Sequence, residues 1–130
     1  MREDNVALLK RGYQAFGKAD LDAIREMGAK DEVWHTPGYG PFKPEYKGPD
    51  GVTAYLTELM TSSDGTFRTD PEAFAGDDGN HVLVLEHVTA KRKGRTLDTH
   101  VVHDFRVKDG KIAEVTEYAS EPNKIRDFWA

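Results

Sequence analysis

Apolar residues recur at helical spacing from the start of the chain. Val6, Leu9, Tyr13 and Phe16 fall on one face, while Lys10, Arg11 and Lys18 point away. Asn5 reads as the N-cap of this helix, and Asp20 as the cap of a short second one. In the second helix Leu21, Ile24 and Met27 face inward and Gly28 is the stop signal. From Asp31 the period changes, and Val33, Trp34 and His35 form a short strand ended by Thr36-Pro37-Gly38. Pro37, Pro41, Pro44 and Pro49, mixed with Gly38, Gly40 and Gly48, mark positions 37–49 as an irregular loop. Its aromatics Tyr39, Phe42 and Tyr46 favour a packed cover over a mobile tether. Asp50 reads as the cap of a third helix that buries Val52, Tyr55, Leu56, Leu59 and Met60.

The remainder alternates as strands. Positions 66–75 are interrupted by Pro71, which suits an edge or a bulge. Positions 81–91, 95–107 and 111–119 follow, joined by turns at Lys93-Gly94 and Asp109-Gly110. Asp-Gly between two apolar runs predicts a two-residue hairpin turn. A last amphipathic segment runs from Ile125 to Trp129. Helices gathered before a meander of strands give an α+β domain spanning 1–130. Val82, Val84 and Val88 alternate with Leu83 and Leu85, so both faces of the sheet are apolar. An antiparallel sheet usually leaves one face wet, so the second face is expected to meet another subunit.

Composition narrows the function. Eighteen Lys and Arg stand against 23 Asp and Glu, a formal charge of −5 across 130 residues. That balance argues against nucleic acid, which needs a concentrated basic surface. The absence of cysteine removes thiol chemistry and cysteine-based metal centres. No apolar run approaches the roughly 20 residues that span a bilayer. The first residues, MREDNVALLKRG, lack the apolar core of a secretory signal, so a cytoplasmic location is the expectation. Phosphate-cradling glycine motifs are absent, and no nucleotide or other cofactor is expected. His100 and His103 are three apart in a strand and face opposite ways, so no metal site is expected.

Three stretches carry a resemblance: ADLDAIREMGAKDEVWHTPG, GPDGVTAYLTEL and HDFRVKDGKIAEVTEY. Together they resemble the SnoaL-like branch of the NTF2-like, ketosteroid isomerase-like superfamily, over essentially the whole chain. The resemblance implies a cone, a curved antiparallel sheet wrapped around three helices and enclosing one pocket. Dimers through the convex sheet face are common in that family. The positions that carry ketosteroid isomerisation are altered: Thr36 stands before Pro37 where the isomerase has its aspartate. The oxyanion tyrosine falls at about Gly12, next to Tyr13, and the second oxyanion donor falls at His103. SnoaL-type cyclases use an acid late in the chain, for which Glu114, Glu117 and Glu121 are available.

Strand parity sorts the remaining polar groups. A two-residue turn pairs Lys108 with Lys111, which sets His103 opposite Thr116, Val101 opposite Tyr118 and Phe105 opposite Glu114. The resemblance puts His103 on the concave side, so Val101, Thr116 and Tyr118 join it and Glu117 turns outward, unless a bulge intervenes. His103 is the expected catalytic acid or base. Phe16, Trp34, Tyr55, His87, Val101, Thr116 and Tyr118 are the expected ligand-binding residues. His87 shares a side with Leu83 and Leu85, and only the strand register decides whether that side meets the pocket. Trp34 and Thr36 point in and His35 points out by their offset from Pro37. The functional expectation is an acid–base enzyme of isomerase or cyclase type on a hydrophobic polyketide- or steroid-like molecule. The alternative is a binding protein with the same pocket and no chemistry. A buried carboxylate facing the cavity would favour the enzyme.

Overall fold

A computed structural model describes residues 2–130; Met1 of the expected domain lies outside them. Helices α1 (Arg2–Gly17) and α2 (Leu21–Met27) lead into strand β1 (Gly28–His35). Strand β2 (Glu45–Lys47) and helix α3 (Gly48–Ser62) follow. Strands β3 (Arg68–Gly76), β4 (His81–Arg92), β5 (Arg95–Lys108) and β6 (Lys111–Ala119) precede the closing helix α4 (Pro122–Trp129). The curved, unclosed sheet has the order β2-β1-β6-β5-β4-β3.

The α+β cone is present, with three corrections to its expected details. Helix α4 is a fourth helix, formed from the amphipathic Ile125–Trp129 segment with Pro122 at its first turn. The sheet is mixed, because β1 runs parallel to β6 while its other pairings are antiparallel. Part of the proline-rich stretch is regular: Glu45–Lys47 pairs with β1, since Pro44 precedes that strand and Gly48 follows it. Helix starts also differ from the expected caps. The first helix begins at Arg2, upstream of Asn5, and α3 begins at Gly48 with Lys47 as cap and Asp50 in its first turn. Asp20 does cap α2, accepting from the Ala23 backbone N–H at 3.2 Å.

Two clusters make the core. One joins Leu8 and Leu9 of α1 to Val82, Val84, Phe105, Val107, Ile112 and Val115 on the sheet. Leu9 is 1% exposed, and burying a leucine of this kind contributes roughly 1.5–3 kcal/mol. The other gathers α3 and α4 around Phe42, which meets Trp129 edge-on at 4.7 Å between ring centres. Gly40 takes φ +60° there, and a side-chain carbon on it would collide with the Trp129 carbonyl. This close approach fixes the loop at 36–44 against α4.

The register of β5 and β6 decides what the concave face carries. Asp109 and Gly110 both take positive φ, as the hairpin turn requires, and Lys108 pairs with Lys111. Ala113 then has no partner: Val107 faces Ile112, but Arg106 faces Glu114. This bulge reverses parity along the rest of β6. His103 therefore faces Glu117, Val102 faces Tyr118 and Asp104 faces Thr116.

Candidate active site

A cavity of about 120 Å³ lies between the concave face, the helices and the loop at 36–44. Most of its wall is apolar and aromatic, with Phe16, Trp34, Tyr55 and Phe105 among the rings that line it. Adjacent strands β4, β5 and β6 each send one ionisable residue into it: Glu86, His103 and Glu117.

Glu86 sits among Val82, Val84 and Val88, on the buried parity of β4, and is 1% exposed. Its Oε1 accepts from the Thr69 hydroxyl at 2.6 Å. Its Oε2 accepts from the Tyr13 hydroxyl at 2.5 Å and from His103 Nδ1. The other ring nitrogen, His103 Nε2, lies 3.3 Å from Glu117 Oε1. Both nitrogens thus face carboxylates, so each carries a proton and the ring is an imidazolium. Burial works against that charge, but Glu86 and Glu117 outweigh it and raise the His103 pKa to about 10. Burial also pulls the Glu86 carboxyl up, but His103, Thr69 and Tyr13 together hold it below the usual carboxylate range.

The two carboxylates have different freedom. Both Glu86 oxygens accept from protein donors on β5, β3 and α1, so its part is to anchor His103. Glu117, with its side chain 13% exposed, uses only Oε1 on His103, and Oε2 meets no hydrogen-bond donor among the described residues. Tyr55 is nearby: burial first, then the charge of Glu117, pushes its phenol well above the ordinary range. Its ring lies 5.9 Å from that of Trp34, and its hydroxyl has no hydrogen-bond partner among the described residues. The site therefore offers one carboxylate oxygen as acceptor, with the Tyr55 phenol and the unpartnered Trp34 N–H as neutral donors, while both imidazolium protons are committed to Glu86 and Glu117.

Phe16, Trp34, Tyr55, Val101 and His103 all line this cavity. His87, Thr116 and Tyr118 do not, and each is a correction. His87 lies on the convex parity of β4, where it bonds Asp98 at 2.7 Å and stacks on His100 at 4.9 Å. Thr116 and Tyr118 were turned outward by the Ala113 bulge, and Tyr118 is 58% exposed. The same bulge turned Glu117 inward. His35 points out as expected, bonding Glu114 at 2.8 Å, while Trp34 and Thr36 line the cavity. Glu86, Tyr13 and Thr69 were missed as site residues. A signal for Glu86 existed: it is the one carboxylate in phase with the valines of an apolar strand. Nothing in the local pattern marks Ala113.

A curved mixed sheet with helices on its concave side, enclosing an acid–base cluster in an apolar cavity, is the NTF2-like class of fold. Residues 9–115 match the SnoaL-like domain, and the chain belongs to that family. It is similar to an uncharacterised protein of Mycobacterium tuberculosis, 27% identical over 126 residues that cover 97% of this chain and 96% of the other. It is also similar to Bal32a, from a soil-derived mobile gene cassette, at 26% identity and a TM-score of 0.95, covering 99% and 98% of the two chains. An NTF2-like protein of Burkholderia xenovorans gives 25% identity and a TM-score of 0.81, with 98% of each chain covered.

Proposed function

We propose that the protein is a cofactor-free acid–base enzyme of isomerase or cyclase type, acting on a small hydrophobic molecule. The observation that carries this reading is Glu117, a partly buried carboxylate that lines an apolar cavity, leaves one oxygen without a protein donor among the described residues and is oriented by an imidazolium behind it. Glu117 takes a proton from the carbon beside a substrate carbonyl. The C–H electron pair passes to the carbonyl oxygen, where the Tyr55 hydroxyl stabilises the enolate. Return of the proton from Glu117 to a different carbon completes an isomerisation; attack of the enolate carbon on a second carbonyl, with Glu117 returning its proton to the alkoxide so formed, completes a cyclisation. His103 is a positioning residue here, and its committed protons replace the free acid–base role expected from its residue type alone.

Support from other proteins is coarse. A fold neighbour from Jannaschia, provisionally named a SnoaL-like polyketide cyclase, is 16% identical at a TM-score of 0.79, which speaks to fold alone. The cavity volume favours the small end of the polyketide- or steroid-like range. The test is deuterium exchange from D2O into the α-carbon of 2-indanone, followed by NMR. Exchange above buffer that falls to background in Glu117→Gln supports the enzyme. Binding without exchange leaves the non-catalytic carrier. We also propose that a second copy covers the convex face, where Leu83, Leu85 and Tyr118 are exposed, and that the protein works in the cytoplasm.

A further inference from the structure

The cavity also has a charge preference, which rests on reading it as the ligand site but not on turnover. Two carboxylates, Glu86 and Glu117, share one imidazolium, which leaves the set one negative charge in excess. No lysine or arginine lines the cavity among the described residues. The other polar groups that line it, the hydroxyls of Tyr13, Thr36, Tyr39, Tyr55 and Thr69 and the N–H of Trp34, are all neutral, and those of Tyr13 and Thr69 already donate to Glu86. An anionic ligand would meet an uncompensated negative charge in a water-poor site, where like charges repel most strongly. A cation would meet the unpaired Oε2 of Glu117 and the faces of surrounding aromatic rings, which attract ammonium groups. Size adds a second limit. At about 120 Å³ the cavity is close to the roughly 150 Å³ apolar cavity known to hold benzene, so it suits one ring and not four.

We propose that the cavity takes a single-ring molecule bearing a protonated amine, with the ammonium on the Glu117 oxygen that proton abstraction would use, so that it competes with turnover, and the ring among Phe16, Trp34, Tyr55 and Phe105. The corresponding carboxylate is turned away, and the corresponding alcohol binds between the two.

Three probes of one shape decide it: benzylamine, benzyl alcohol and benzoate, titrated calorimetrically into the protein near neutral pH. The expected order is amine, alcohol, benzoate, with the amine tighter than the alcohol by about tenfold or more, as for a partly desolvated charge-assisted contact. In Glu117→Gln the amine falls to the level of the alcohol while the alcohol is held, which also shows that the variant is folded. Glu117→Asp, which keeps the charge, retains the order. Benzoate binding as tightly as benzylamine overturns the proposal. An amine preference that survives Glu117→Gln overturns it too, because the charge would then lie elsewhere. If the alcohol binds as well as the amine, the charge selection fails and the hydrophobic ligand site stands. If none of the three binds, both fail.

Discussion

The two faces of the sheet carry the same chemistry with different consequences. On the convex face His81 pairs with Asp104, His87 with Asp98 and His100 with Glu72, at 2.9, 2.7 and 3.0 Å. On the concave face His103 pairs with Glu86 and Glu117. The outer pairs stand against water, where solvent and salt screen them. The inner ones are shut among apolar side chains, where the partners hold His103 charged up to a pKa of about 10. A histidine–carboxylate pair is thus a surface ornament or a fixed charge depending only on which side of the strand it occupies. For Glu117 that side follows from the β6 bulge at Ala113, and for Glu86 and His103 from the regular pairing of β4 with β5.

Inserting one alanine between Glu114 and Val115 is the largest way to break the comparison. Every later residue of β6 then moves one place along β5. Val115 and Glu117 turn outward, and Thr116 and Tyr118 turn in. Loss of Val115, which is fully buried, and of the Glu117 contact to His103 should cost about 5 kcal/mol or more, on the scale of a domain's whole stability. Circular dichroism through a urea titration should show no cooperative transition. A transition like that of the wild type would mean that a second bulge had absorbed the residue and that register does not set the face. Deleting Ala113, by contrast, removes the extra residue, keeps Glu117 opposite His103 and should leave the transition in place.

His103→Leu comes next. It leaves Glu86 and Glu117 buried without their cation, a change that typically costs about 3–5 kcal/mol near neutral pH. The pH profile sharpens this. The folded pKa of His103 is raised above its unfolded value of 6.5, so its stabilisation is complete below about pH 6.5 and is lost as pH rises towards about 10. Glu86 is held low, so its share is present above pH 4.5 and is lost as acid reaches its depressed pKa. Urea midpoints for the wild type should therefore fall between about pH 6.5 and 10, and those of His103→Leu should not.

These two residues also show how far the sequence could be read. The helices, the four-strand meander, the Asp109-Gly110 turn and the inward aromatics Phe16, Trp34 and Tyr55 follow from periodicity, because each periodic signal is local. The partner of β1 does not follow: its parallel pairing with β6 joins residues far apart in the chain. The β6 face does not follow either. Lys-Ile-Ala-Glu-Val reads as ordinary alternation, and the extra residue shows only against β5. So His103 could be placed and Glu117 could not, although both lie on the same hairpin.

Glu32 offers a smaller test of what a cation contributes inside. Like Glu86 it is buried, 2% exposed, but no cation pairs with it among the described residues. Burial alone pushes its pKa up from 4.5 to about 7. Here the sign is the opposite of Glu86. The folded state holds the proton more tightly, so stability is full below pH 4.5 and declines as pH rises through about 7. Allowing for solvent screening, the decline is about 2 kcal/mol. Glu32→Gln should remove that decline and make the protein more stable than the wild type at pH 8, measured by urea denaturation at a series of pH values. An unchanged slope would show that the carboxyl is solvated in place.

His87→Ala should do least. The ring contacts Asp98 and His100 on the open face, and its pKa is raised chiefly by the hydrogen bond it donates to Asp98. Removing it leaves no buried charge and no cavity, since Asp98 passes directly to water. The urea midpoint and its pH profile should overlay those of the wild type in dilute protein. The outcome depends on concentration if a second copy covers this face. At high protein concentration the proposed dimer would bury the His87–His100 stack beside Leu85, and the substitution would then weaken self-association in sedimentation without moving the dilute midpoint. A dilute-protein effect as large as that of His103→Leu would mean that the two faces are equally closed to water, and the contrast between them would be lost.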